Sequence, residues 1–172
     1  MKILLVNPPY NIPIETRASP PLGLAYLAAI SESKGHEVRA YDGEVDPEPL
    51  EQVVRNFNPD VVGITATTVQ IKRAWKVAEK IKELCDIPVI LGGVHPTLLP
   101  EDSVSHPAVD IVVRGEGEYT WEELISALEK GCKPEDLEKI QGLTFKTPSG
   151  EIVSTPDRPV IQDLDSLPFP VY

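Results

Sequence analysis

Two apolar runs, "DVVGIT" (Asp60–Thr65) and "IPVILG" (Ile87–Gly92), bracket a stretch in which Ile71, Ala74, Trp75, Ala78, Ile81 and Cys85 recur at helical spacing. Near-continuous apolar runs are the mark of parallel strands covered on both faces, and the stripe between them is one side of a crossover helix. Working outward, "HEVRAY" (His36–Tyr41) and "KILLV" (Lys2–Val6) precede this unit, and "VDIVVR" (Val109–Arg114) follows it. Leu50, Val53, Val54 and Phe57 form a second helical stripe with Asp46-Pro47 upstream as its expected cap, and Trp121, Leu124, Ile125 and Leu128 form a third. The segment from about Pro21 to Lys34 is apolar nearly all round, which predicts a mostly buried first helix ended by Gly35. Strand and helix alternate throughout. The expectation is an α/β fold: a doubly wound five-stranded parallel sheet, flavodoxin-like or more broadly Rossmann-like, in the order 2-1-3-4-5. Its ligand crevice lies beyond the carboxyl ends of the strands.

Composition narrows the function classes. A net charge of −11 and a pI near 4.7 argue against nucleic acid, which requires clustered Lys and Arg. No apolar run approaches the ~20 residues of a membrane span, and the two cysteines, Cys85 and Cys132, have no metal-ligand spacing. A reducing, cytoplasmic setting is expected. After Gly142 the pattern changes: "GLTF" and "EIVS" flank "KTPSG" as a small β-hairpin (Gly142–Val153), expected as an antiparallel addition to the parallel sheet, and a proline-rich tail to Tyr172 reads as an extended linker. The expected division is 1–138 for the main domain and 139–172 for hairpin and linker.

Four loops follow strands at the ligand edge. The first, Asn7–Pro21, is about twice the usual length, with Asn7-Pro8-Pro9-Tyr10 at its start and Pro20-Pro21-Leu22-Gly23 at its end. Proline stiffens such a loop, and Gly23 at the helix start lets a flat ligand approach. No Gly-x-Gly-x-x-Gly follows this strand, which weighs against dinucleotide binding. "GITATTVQ" (Gly63–Gln70) offers threonine hydroxyls that serve equally as helix caps or ligand hydrogen bonds. "LGGVHPT" (Leu91–Thr97) brings adjacent glycines, with His95 read as an ordinary loop residue before a metal ligand. "RGEGEYTWEEL" (Arg114–Leu124) alternates Gly and Glu, and Glu116 and Glu118 suit a helix N-terminus. Together the loops describe a rim low in side-chain bulk, suited to a broad planar ligand with a long polar tail.

These pieces, taken in order, resemble the amino-terminal cobalamin-binding domain of cobalamin-dependent radical SAM enzymes, a family that includes methyltransferases and the anaerobic Mg-protoporphyrin ester cyclase. "KILLVNPP", "PPLGLAYLAA", "PDVVGITATT", "GGVHPTLLPED" and "DIVVRGEGEYT" carry the resemblance over nearly the whole chain, and "DLDSLPFPVY" is similar to the family's lead-in to a radical SAM barrel. The resemblance implies cobalamin over the strand carboxyl ends with its nucleotide tail threaded into the domain. The residues it implicates are Pro21, Leu22, Gly23, Thr65, Thr67, Gly92, Gly93, His95, Gly115, Glu116 and Gly117. It also explains the long first loop as a wall for the corrin ring. Two departures from related motifs matter: no Asp-x-His-x-x-Gly follows strand 1, so no cobalt-coordinating His is expected there, and Cys-x-x-x-Cys-x-x-Cys is absent. The 4Fe-4S cluster and S-adenosylmethionine are therefore expected in a missing carboxyl-terminal domain of the same polypeptide. On this reading the chain is a binding module with no catalytic or metal-ligating residue of its own. The alternatives are the amino-terminal half of a nucleotide-sugar glycosyltransferase and a receiver-like docking domain.

Overall fold

The computed structural model describes residues 1–10 and 21–171. Most of the long first loop, and with it the corrin-wall reading of that loop, lies outside the described residues. β1 (Lys2–Asn7), β2 (Glu37–Asp42), β3 (Val61–Thr65), β4 (Val89–Gly92) and β5 (Ile111–Val113) pair in parallel, and their order, β2-β1-β3-β4-β5, is the expected one. The sheet is larger than expected. β6 (Leu143–Lys146) pairs antiparallel with β5, and β7 (Ile152–Ser154) pairs antiparallel with β6, so the hairpin completes a seven-stranded mixed sheet. Joining covers the edge that β5 would otherwise present, and it buries Leu143, Thr144 and Phe145.

Strand periodicity explains why the apolar runs are continuous. Ile3, Leu5, Val61, Ile90, Ile111 and Val113 face one side of the sheet, where α1 (Leu22–Ser33) and α6 (Glu118–Glu129) pack with Leu24, Ala28, Trp121, Leu124 and Ile125. Leu4, Val6, Val62, Ile64, Leu91 and Val112 face the other, against α2 (Leu50–Phe57) and α3 (Ile71–Leu84). Both faces are thus dry, as a doubly wound sheet requires.

Several local expectations give way. α1 is buried through its middle, at Leu24, Ala25 and Ala28 to Ser31, but its first two residues, Leu22 and Gly23, project into solvent at the ligand edge, and Leu22 is 50% exposed. Asp46 does not cap α2. The helix starts from Pro49, and Asp46 instead accepts from Arg39 Nη2 at 2.8 Å and from the Glu48 amide. The segment after β4 is not plain loop but two short helices, α4 (Val94–Leu98) and α5 (Pro100–Ser105), with α7 (Pro134–Leu137) following α6. The tail, read as an extended linker with no element left to connect, is tied to the domain. Arg158 Nη2 donates to Glu123 Oε2 at 2.5 Å, Tyr119 and Ser166 share a hydroxyl hydrogen bond at 2.8 Å, and the Val171 amide donates to Ala25 O of α1 at 3.3 Å. No helix among the described residues is long and apolar enough to cross a membrane.

Candidate functional site

At the carboxyl edge of the sheet, β3, β4 and β5 open onto a cavity of about 290 Å³ between α1 and α6. Its walls are Leu24 and Leu27 from α1 and Glu118 and Trp121 from α6; its floor is Gly63, Thr65, Ile90, Gly92 and Val113. The shape follows from the residues. Alternation puts Gly63 and Gly92 on the α1/α6 face, and their missing side chains leave the depression. Trp121, buried over Gly63, is held by Nε1 donating to Ser31 Oγ of α1 at 2.9 Å, which fixes the spacing of the two helices. A Cβ on Gly63 would stand 2.9 Å from both Leu5 Cδ2 and Trp121 Cη2, so the strand tolerates only glycine there without movement.

Gly93 has φ +102° and ψ −169°, a conformation that belongs essentially to glycine. It turns β4 sharply into α4 directly beside Ala66, whose amide donates to Gly92 O at 2.9 Å and whose carbonyl accepts from the His95 amide at 3.1 Å. Thr97 ties the next loop to this one, donating through Oγ1 to Gly93 O at 2.8 Å and accepting from the Gly115 amide at 3.0 Å. On the β1 side the buried Gln70 does the same work. Its Nε2 donates to Pro8 O at 2.9 Å and its Oε1 accepts from Thr67 Oγ1 at 2.9 Å. The strand exits are therefore braced independently of any ligand.

Of the residues anticipated at this edge, Gly23, Thr65, Gly92, Gly93, Gly115, Glu116 and Gly117 line the cavity together. Pro21 lines a separate groove between α1 and β2, and Leu22 sits exposed above the cavity's α1 wall. Thr67 spends its hydroxyl on Gln70. His95 is 4% exposed, with Nδ1 3.4 Å from Thr68 Oγ1 and Nε2 3.3 Å from Asp102 Oδ2, so its ring points into the protein. Sequence reasoning missed the walls: Leu24, Leu27 and Trp121 read there as core. Gly63 carried a usable signal, since an interior strand glycine marks close approach.

The rim is apolar. Tyr10, Leu22, Val69, Val94, Leu98 and Leu99 are all exposed on elements that meet at this edge. A patch of this kind on one edge marks a surface that is covered in use. Among the described residues no Lys or Arg lines the cavity, and the charged ones that do are Glu116 and Glu118. Glu116 Oε2 accepts from the Ile161 amide at 2.5 Å, whereas Glu118 Oε2 is shielded from water with no hydrogen-bond partner among the described residues.

Residues 17–125 match the model of the B12 binding domain. The chain belongs to that family. All of this B12-binding domain aligns at 41% identity with 38% of an uncharacterized methyltransferase, PH0819, of Pyrococcus horikoshii. It aligns over 97% of its length, at 32% identity, with 32% of the anaerobic magnesium-protoporphyrin IX monomethyl ester cyclase of Rubrivivax gelatinosus. Among solved structures, the radical S-adenosylmethionine methyltransferase TsrM of Kitasatospora setae, with cobalamin and a [4Fe-4S] cluster bound, superposes with a TM-score of 0.74 at 24% identity, over 99% of this chain and 31% of that one. That last likeness speaks for the fold. The B12-binding domain spans about a third of the length of these proteins.

Proposed function

We infer that the α1/α6 cavity takes the nucleotide tail of cobalamin and that the corrin ring lies over the apolar rim. The carrying observation is the pairing of a small slot with a broad apolar edge. A cavity of about 290 Å³ is at the lower limit for ligand sites and is far too small for a corrin, but it suits a flat base and its sugar. Glycine floors, aliphatic and indole walls, and the close approach allowed at Gly92 and Gly93 fit an aromatic plate sliding between two helices. Gly23, Gly115 and Gly117 keep the slot's mouth low, while Leu22, Val94 and Leu98 offer apolar contact to a ring lying across it. When bound, cobalamin supplies a cobalt centre that exchanges alkyl groups and changes oxidation state.

The chain's own part is then to position the cofactor and exclude water from its lower face. His95, turned inward, does not act as a cobalt ligand in this reading. The first division of the chain, 1–138, holds the cofactor, and 139–172 leads toward a radical SAM domain that carries a 4Fe-4S cluster and S-adenosylmethionine. The methyltransferase and cyclase relatives support methyl transfer or ring closure as the activity of such a protein, and its two free cysteines suit a reducing cytoplasm. The match of residues 17–125 to the B12 binding domain favours cobalamin over the nucleotide-sugar alternative.

Equilibrium dialysis of the 172-residue chain against hydroxocobalamin and against dicyanocobinamide, which lacks the nucleotide tail, tests the reading. Cobalamin binding at least tenfold tighter than cobinamide is expected. Equal affinity for the two would remove the tail from the slot.

A further inference from the structure

At the amino edge of the sheet, away from the slot, three donor atoms converge from three elements: the α-amine of Met1, Nδ1 of His36 and Oε1 of Glu129. The backbone puts them there. β1 and β2 pair in parallel with Lys2 opposite Glu37, so the residues just before them, Met1 and His36, start side by side, and the Glu37 amide donates to Met1 O at 3.0 Å. Gly35, at φ +84°, turns the chain out of α1, and the His36 amide donates back to Ser31 O at 3.1 Å. Glu129 is the last residue of α6. The His36 side chain is only 7% exposed. It lines, with Glu129, a cavity of about 280 Å³ on the far side of Trp121 from the slot.

The amine stands 3.3 Å from His36 Nδ1, and Glu129 Oε1 is 3.8 Å from each of them. A triangle with these sides has a circumradius of about 2.1 Å, so a single point lies at that distance from all three donors. Zinc takes imidazole nitrogen at about 2.0–2.1 Å and carboxylate oxygen at about 2.0–2.2 Å. We propose that Met1 N, His36 Nδ1 and Glu129 Oε1 are the protein ligands of a zinc site whose fourth position opens to the cavity. Two nitrogens and one carboxylate suit a borderline transition-metal ion, whereas magnesium and calcium prefer a shell of oxygens. On binding, the Met1 ammonium gives one proton to solvent and its freed lone pair takes the metal. The ion then staples the starts of β1 and β2 to the end of α6. Residue spacing carries no sign of such a site, because one of its three ligands is not a side chain.

The test titrates the 172-residue chain with zinc chloride by isothermal calorimetry, beside His36→Gln, Glu129→Gln and a form extended before Met1, which turns the amine into an amide. Thermal melts with and without zinc run alongside. The wild type is expected to show saturable zinc binding that is at least about tenfold weaker in Glu129→Gln and in the extended form, and weaker still in His36→Gln. Zinc at about 100 times its dissociation constant should raise the wild-type melting temperature by roughly 5–10 °C, and at the same concentration should raise that of each altered form by less. Glu129 is half exposed, so Glu129→Gln keeps the test decisive should the buried His36→Gln fail to fold. A loss smaller than about tenfold in Glu129→Gln or in the extended form places the zinc elsewhere and overturns the proposal. A wild-type chain without saturable binding leaves the three groups as an ion pair only, and overturns it too.

Discussion

Replacing Gly93 by Ala should cost far more than replacing its neighbour Gly92. At Gly93 the backbone sits at φ +102° and ψ −169°, where a side chain costs about 1–3 kcal/mol. The added Cβ would also meet Ala66 O and Thr65 Oγ1 at 2.9 Å and Ala66 N at 3.0 Å. Ala66 cannot recede freely, because its amide and carbonyl hold Gly92 and His95, and giving up one such bond costs about 1 kcal/mol. The total is about 2–4 kcal/mol, which for a chain of this size lowers the melting temperature by roughly 5–15 °C. Gly92 has no such constraint: its Cβ would find only Val113 O, at 3.8 Å, an ordinary contact. Urea and thermal unfolding of the ligand-free chain, followed by circular dichroism, reads both variants. A Gly93→Ala melt within about 2 °C of wild type, or equal destabilisation of Gly92→Ala, would show that Gly93 carries no such constraint.

Gly63→Ala overpacks the slot floor against Leu5 and Trp121, so a loss of about 1–3 kcal/mol in urea unfolding is expected, together with weaker cobalamin binding in dialysis. Arg114, 9% exposed, donates to Thr144 Oγ1 at 2.6 Å, Thr155 O at 2.5 Å and Leu143 O, and joins the hairpin to β5. Arg114→Met should therefore destabilise by about 2–4 kcal/mol, while Asp157→Asn, whose carboxylate is 88% exposed, should be close to neutral in the same melt. Burial pushes the Cys85 and Cys132 thiols up from their ordinary range. Both should alkylate slowly with iodoacetamide at pH 8 in the folded chain and quickly in urea. Because the folded chain holds these protons to higher pH than the unfolded one, this contribution to stability is present below the ordinary thiol range and is lost as pH rises through the raised values.

The parallel core was legible because its signals are local and repeated. "VVGIT" and "PVILG" are apolar on both faces, and the stripes through Ile71–Ile81 and Trp121–Ile125 have only one way to cover them. The hairpin was legible as an antiparallel addition to the sheet, but its place beside β5 was not, since that partner is some thirty residues upstream in the chain. Capping at Asp46 failed for a similar reason: Arg39, on the neighbouring edge strand, outbids the helix amides. At the site, glycines were readable from their adjacency in "GG" and "GEG". Leu24, Leu27 and Trp121 were not, because an apolar residue walling a cavity has the same sequence pattern as one filling a core. Thr67 and His95 illustrate the converse. Their types suggest ligand contact, yet Gln70 and the Thr68/Asp102 pair, reached only by folding, take their polar atoms.

A nucleotide tail held in the slot would lie off the cobalt, with no histidine in its place, and electron paramagnetic resonance of cobalt(II)-cobalamin bound to the chain tests this. A nitrogen on the lower axial position splits each cobalt line into a triplet. If the base lies in the slot between α1 and α6, with His95 held inward by Thr68 and Asp102, the lines stay unsplit in both the wild type and His95→Ala. Triplets in the wild type that disappear in His95→Ala would make His95 a ligand, and triplets that persist would leave the base or another nitrogen donor on cobalt; either result contradicts a base held in the slot with no histidine on cobalt.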